Sequence, residues 1–224
     1  RPIAVVSNVN TTPALLMGAI SMGIPAIYCP AGPMSNGWWR GTKVGAGTHT
    51  KKYWDELRAG HIGPADWVEL EGRGVRTPGT CNTMGTASTM TSIAEALGFT
   101  LPGASSIPAV DAAHPRMAAD CGERAVAMVW EDLTPARILS RASFDNALVA
   151  YMALGGSTNA IVHLIAMARR AGIPLTLADM DAAGRTSPVL ADLFPSGRHL
   201  MEDFFFAGGL PALLERLRAC LEPA

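Results

Sequence analysis

The chain has 224 residues, 49% of them hydrophobic, which is enough to bury one sizeable core. Its 18 basic and 19 acidic residues leave a net charge of -1 without a basic cluster, which argues against a nucleic-acid partner and for small-molecule chemistry. Cys29, Cys81, Cys121 and Cys220 lie far apart with no CxxC spacing, so a reducing, cytoplasmic setting is expected rather than a disulfide framework.

In chain order, Ile3 to Val6 read as a strand, Asn8 to Thr12 as a polar turn, ALLMGAISMG as a helix and PAIYCP as a second strand. Strand, turn, helix and strand in one short run form a βαβ unit, which predicts an α/β fold: a parallel sheet flanked by helices, rich in helix overall. No apolar run reaches the roughly 18 residues that a membrane span needs, because Gly18, Gly23 and Pro25 interrupt the longest one. No signal-peptide pattern opens the chain. Its first residue is Arg1, and a strand follows at once, so the chain is expected to begin inside a larger protein.

Residues 31 to 50 carry Gly and Thr without a helical period and predict a long loop. KKYWDELRAG and PADWVELEG predict two short amphipathic helices, the second opened by Pro64. TASTMTSIAEALG predicts a helix stopped at Gly98, followed by an extended LPGASSIPAV. ERAVAMVWEDL, ARILSRASFDNALVAYMALGG and NAIVHLIAMARRAG have strong helical apolar spacing, and Gly172 suits a C-cap of the last. LTLADMDAAGR and the stretch from His199 to Leu221 predict further short helices. There is no internal repeat and no low-complexity linker.

The chemistry concentrates at GTCNTMGTASTM, residues 79 to 90. Cys81 sits among Gly, Thr and Asn just ahead of a helix, where backbone amides favour a thiolate. Two readings stay open there: a small buried structural cysteine, or a nucleophile or metal ligand. In GGSTNA, Gly155 and Gly156 end one helix, and Ser157 or Thr158 caps the next; the same turn could present amides to an anion. His163 reads as a core histidine, and His49 has no second ligand at i+2 or i+4. Trp38 and Trp39, next to Arg40, pack a loop or stack on a ligand. Glu202 and Asp203 read as a solvated turn ahead of Phe204 to Phe206. No Walker loop, Rossmann glycine fingerprint or HExxH occurs.

Six motifs in one order add to this: TTPALLMGA, GPMSNGWWRGTKVGAGTH, PGTCNTMGTASTMTSIAEALG, LPGASSIPAVD, MALGGSTNAIVHLIAMA and PSGRHLMEDFFFAGGLPAL. Together they resemble the dihydroxy-acid dehydratase / phosphogluconate dehydratase family, and within it the sugar-acid, arabinonate-type branch. The resemblance runs from about Thr11 to the C-terminal end. It implies a hydro-lyase that turns a 2,3-dihydroxy acid, such as an aldonate, into a 2-keto acid. It also implies a [2Fe-2S] cluster as Lewis acid on the leaving 3-hydroxyl, a Mg²⁺ on the carboxylate and 2-hydroxyl, and a serine alkoxide that removes the C2 proton. Cys81 matches the family's third cluster cysteine. Family members form homo-oligomers, so a homo-oligomer is implied as well.

One stretch departs from the family. Ahead of TTPALLMGA the family has Cys-Asp-Lys, a cluster ligand followed by two Mg²⁺ ligands. Here Asn8, Val9 and Asn10 stand in those places, and none supplies the same donor. The resemblance puts the first cluster cysteine upstream of Arg1, and the catalytic serine and remaining Mg²⁺ carboxylate downstream of Ala224. Residues 1–224 are therefore expected to be a partial N-terminal iron–sulfur domain without the β-rich C-terminal domain, inactive alone. A fragment or misread frame and a decayed paralogue both account for this. So does a non-catalytic module that associates with an active homologue.

Overall fold

The computed structural model describes residues 3–5 and 11–222. Asn8, Val9 and Asn10 lie outside the described residues. Strand β1 (Ile3–Val5) leads to helix α1 (Thr11–Met22) and strand β2 (Ala26–Tyr28), and β1 and β2 pair in parallel with Ala4 opposite Ile27. That ladder has two strands. The predicted parallel sheet flanked by helices is not what the rest of the described chain builds, and this part of the expectation is corrected. The second two-stranded sheet is an antiparallel hairpin of β3 (Gly37–Trp39) and β4 (Thr42–Val44), inside the stretch expected to be loop. Arg40 and Gly41 both take positive φ, 48° and 77°, as a tight hairpin turn matched to strand twist requires.

The remainder is helical. Helices α2 (Thr48–Arg58) and α3 (Pro64–Gly74) follow the hairpin, and α3 covers β3 through Trp39, Val44 and Leu70. Helix α4 (Thr86–Ala96) is the centre of the molecule, buried continuously from Ala87 to Glu95. A helix buried all round belongs inside a core. The Ser, Thr and Ala side chains of α4 let other helices approach closely; Thr91 Oγ1 donates to the Ala87 carbonyl at 2.8 Å, whereas Ser92 Oγ is buried without a hydrogen-bond partner. Helix-on-helix packing thus takes the place that a larger sheet would have filled.

Helices α1, α7 (Arg141–Ala153) and α8 (Ala160–Arg170) pack on α4 around Met90, Ile93, Phe144, Leu148, Leu164 and Met167. Each such fully buried side chain contributes roughly 1.5–3 kcal/mol. Helix α5 (Ala113–Trp130) lies on β2, and short α6 (Pro135–Ile138) leads into α7. Helix α9 (Leu177–Thr186) packs on α7, while α10 (Met201–Phe206) and α11 (Gly209–Arg216) cover a second core around Leu154, Met201, Leu210 and Leu217. No described helix is long and apolar enough to cross a membrane.

Candidate functional site around Cys81

The loop from Gly79 to Gly85 runs into the N-terminus of α4, and four separate segments hold it. Thr80 donates its N–H to the Gly32 carbonyl and accepts from Met34 N, both at 2.8 Å. Asn82 is fully buried, with 0% exposure. Its Oδ1 accepts from Ala46 N at 3.0 Å and its Nδ2 donates to the Ser35 carbonyl at 3.3 Å. Its own carbonyl accepts from Met201 N at 2.9 Å, and Met84 N donates to the Phe194 carbonyl at 2.8 Å. A buried amide with its groups paired fixes one loop conformation, because leaving any of them unpaired costs about 1–3 kcal/mol.

In this frame Cys81 is half-buried, and its Sγ lies 3.0 Å from Thr83 Oγ1. Thr83 is itself buried, and its carbonyl accepts from Ser88 Oγ at 2.9 Å. The thiol therefore faces polar groups that the surrounding chain holds still.

The fold also brings GGSTN to this loop. Thr86 Oγ1 lies 3.0 Å from Ser157 Oγ and accepts from Asn159 Nδ2 at 3.1 Å, while Ser157 N donates to Thr89 Oγ1 at 2.9 Å. Gly156 is needed for this approach, since a Cβ there would sit 2.5 Å from the Tyr151 ring. The two polar motifs, some seventy residues apart, are thus one contiguous surface at the start of α4.

His49 is next to the same loop. Its Nδ1 accepts from Gly45 N at 3.0 Å, and its ring stacks on Phe194 with centroids 4.3 Å apart. Burial, then the nearby Lys52 charge, holds its pKa below the ordinary histidine value, so the neutral ring is favoured. His163 is half-buried on α8, away from these contacts. Trp39 packs inward, its Nε1 donating to Glu69 Oε2 at 3.2 Å, whereas Trp38 is exposed under Lys43. The tryptophans seat the hairpin.

Glu202 and Asp203 were expected to be a solvated turn, and the structure corrects this. They form the first turn of α10 and clasp the hairpin: Glu202 Oε2 accepts from Asn36 N at 3.1 Å, and Asp203 accepts from Lys43 Nζ at 2.7 and 2.8 Å and from Asn36 Nδ2 at 3.3 Å. Asn36 and Lys43 carry no sequence signal for this, since their partners lie about 160 residues away. Glu95 also passed unread, although a single carboxylate in a helix of Ala, Ser and Thr is a visible oddity. It is buried and accepts from Gly103 N and Ser105 N at 2.6 and 2.9 Å, pinning LPGASS to α4. Burial raises its pKa, and these donors only partly offset the shift.

The sequence profile described as "Dihydroxy-acid/6-phosphogluconate dehydratase N-terminal" matches residues 4–223. The chain belongs to this family. Among its relatives, the 6-deoxy-6-sulfo-D-gluconate dehydratase of Pseudomonas putida is 64% identical over 208 residues, 93% of this chain and 36% of the relative. The L-arabinonate dehydratase of Rhizobium leguminosarum bv. trifolii is 50% identical over 208 residues, again 93% and 36%. The dihydroxy-acid dehydratase of Thermodesulfovibrio yellowstonii is 40% identical over 207 residues, covering 92% of this chain and 38% of that protein. The chain thus spans little more than a third of the length of the relatives it matches.

Set against the cofactors that the family resemblance implies, Cys81 fits a cluster thiolate: half-buried, beside a hydroxyl, in a loop that backbone bonds immobilise. One thiolate does not complete such a site. Among the described residues no group of three or more His, Cys, Asp or Glu side chains is placed to hold a metal ion. Cys29 and Cys121 belong to a different core cluster, and Cys220 is exposed. The described residues therefore do not by themselves fit a [2Fe-2S] cluster or a Mg²⁺ ion. A groove of about 1010 Å³ is lined by Lys43, Asp192, His199, Asp203 and Arg216 among apolar residues, and Cys81 is not part of its wall.

Proposed function

We propose that this chain is part of the N-terminal domain of a hydro-lyase that dehydrates a sugar acid to its 2-keto-3-deoxy acid. In that protein Cys81 supplies one thiolate to a [2Fe-2S] cluster, with Mg²⁺ as the second metal, and the other donors come from outside the described residues. The observation that carries the reading is the frame around Cys81. Asn82, Thr83 and the backbone of Thr80 and Met84 are all paired, which leaves the thiol as the reactive group the loop presents. Two of the relatives named above act on sugar acids by their names, which favours an aldonate-type substrate.

A hybrid enzyme tests this. Residues 11–222 replace the matching segment of the Pseudomonas putida 6-deoxy-6-sulfo-D-gluconate dehydratase, and keto-acid formation from that enzyme's substrate is followed. The hybrid is expected to turn over, and Cys81→Ser within it to abolish turnover. A folded hybrid without activity, or a Cys81→Ser hybrid as fast as its parent, would show the reading to be wrong.

A further inference from the structure

Away from Cys81, the inner face of α5 meets the end of β2 in a second group of reactive side chains. Met117 and Cys121, four residues apart, share one face of α5, and Cys29 follows β2 directly. Cys121 Sγ lies 3.6 Å from Met117 Sδ, and Cys29 Sγ lies 4.0 Å from the same sulfur. Both thiols belong to one buried cluster with Met117. All three residues are buried, at 7% exposure for Cys29, 5% for Met117 and 1% for Cys121. His114, one turn earlier, fixes the approach of the two elements, its Nε2 lying 2.9 Å from the Pro30 carbonyl.

We propose that Cys29, Met117 and Cys121 form a binding site for a soft monovalent cation of the Cu(I) type. Thiolate and thioether donors select such ions over hard ones. A metal–sulfur bond of about 2.3 Å puts the sulfurs of a trigonal site about 4 Å apart, close to the two spacings seen here. Zinc would want a fourth ligand of the imidazole, carboxylate or thiolate type. The surroundings instead are Ile27, Ala104, Ala125 and Met128, and His114 Nε2 is already engaged. The Thr100 hydroxyl is buried without a hydrogen-bond partner of its own and lies beside Cys121, where it can donate to the metal-bound thiolate. On binding, each thiol that becomes a ligand releases its proton to solvent, and no sulfur changes oxidation state. Cys29, the least buried of the three, is the entry side.

The test uses the chain carrying Cys81→Ser and Cys220→Ser, so that Cys29 and Cys121 are its only thiols. Cu(I) is supplied anaerobically in competition with a chromophoric Cu(I) chelator, and the bound metal is examined by X-ray absorption. One Cu(I) per chain with three sulfur neighbours is expected. Met117→Leu conserves volume and should fold; it should leave two sulfur neighbours and weaken binding roughly tenfold, the scale of one lost supporting contact. Cys121→Ala should abolish stoichiometric binding. The proposal is overturned by absence of binding, by unchanged affinity and sulfur count in Met117→Leu, or by thiol titration showing that Cys29 and Cys121 are already joined as a disulfide. The site is independent of Cys81, so its failure leaves the dehydratase reading untouched.

Discussion

Gly79 has φ 132°, and a Cβ there would lie 2.5 Å from Met34 N and 2.8 Å from the Pro33 carbonyl carbon. The backbone of the Cys81 loop can approach Pro33–Met34 only because this residue has no side chain. Gly79→Ala is expected to lose at least the roughly 1–3 kcal/mol of backbone strain, and more from the clash. Urea unfolding within error of the parent would refute that. Asp203 gives a pH-dependent counterpart. Burial pushes its carboxyl up, but the Lys43 ammonium, the Leu200 N–H and Asn36 together hold its pKa below the usual aspartate value. A depressed folded-state pKa adds stability above the unfolded value near about 3.9, lost as pH falls through the folded value. Asp203→Asn should therefore cost about 1.5–3 kcal/mol at neutral pH, as for a hydrogen bond to a charged group. Its deficit should shrink toward zero in denaturant melts taken at progressively lower pH. A deficit that stays constant down to strong acid would contradict this.

At the scale of elements, the run from Ala136 to Gly156 reads as one helix by apolar spacing, yet the structure splits it into α6 and α7. Ser140 takes an extended backbone, its Oγ accepts from Ser143 N at 3.1 Å, and Ser143 Oγ accepts from Ser140 N at 2.9 Å. This reciprocal cap starts α7 afresh. Ser140→Ala should destabilise by about 1 kcal/mol, with unfolding by guanidinium as the measure and no change as the contrary result. Helices α2, α3 and α8 were legible because each has one apolar stripe and one core to face. The β3–β4 hairpin was not, because its three-residue strands are too short for an alternating pattern, and only the Arg40–Gly41 turn betrays it. The central place of α4 was hidden for a related reason: its buried faces carry Thr and Ser, which score as polar until their partners are known. Cys81 stood out through its polar neighbours, whereas the Asn36–Lys43–Asp203 clasp depends on contacts that no local pattern encodes.

For the whole molecule, the proposed function comes down to one claim: this loop holds a metal-binding thiolate in place. On that proposal the described residues supply the positioning and one donor, so the claim is best tested where the remaining donors are present. The measurement is the iron and acid-labile sulfide content of the hybrid that carries residues 11–222 within the Pseudomonas putida dehydratase, purified without oxygen. The hybrid, and its Cys29→Ser and Cys220→Ser variants, should hold the full iron of a [2Fe-2S] cluster, while Cys81→Ser should lose it. Full iron retained by a folded Cys81→Ser hybrid would contradict the claim.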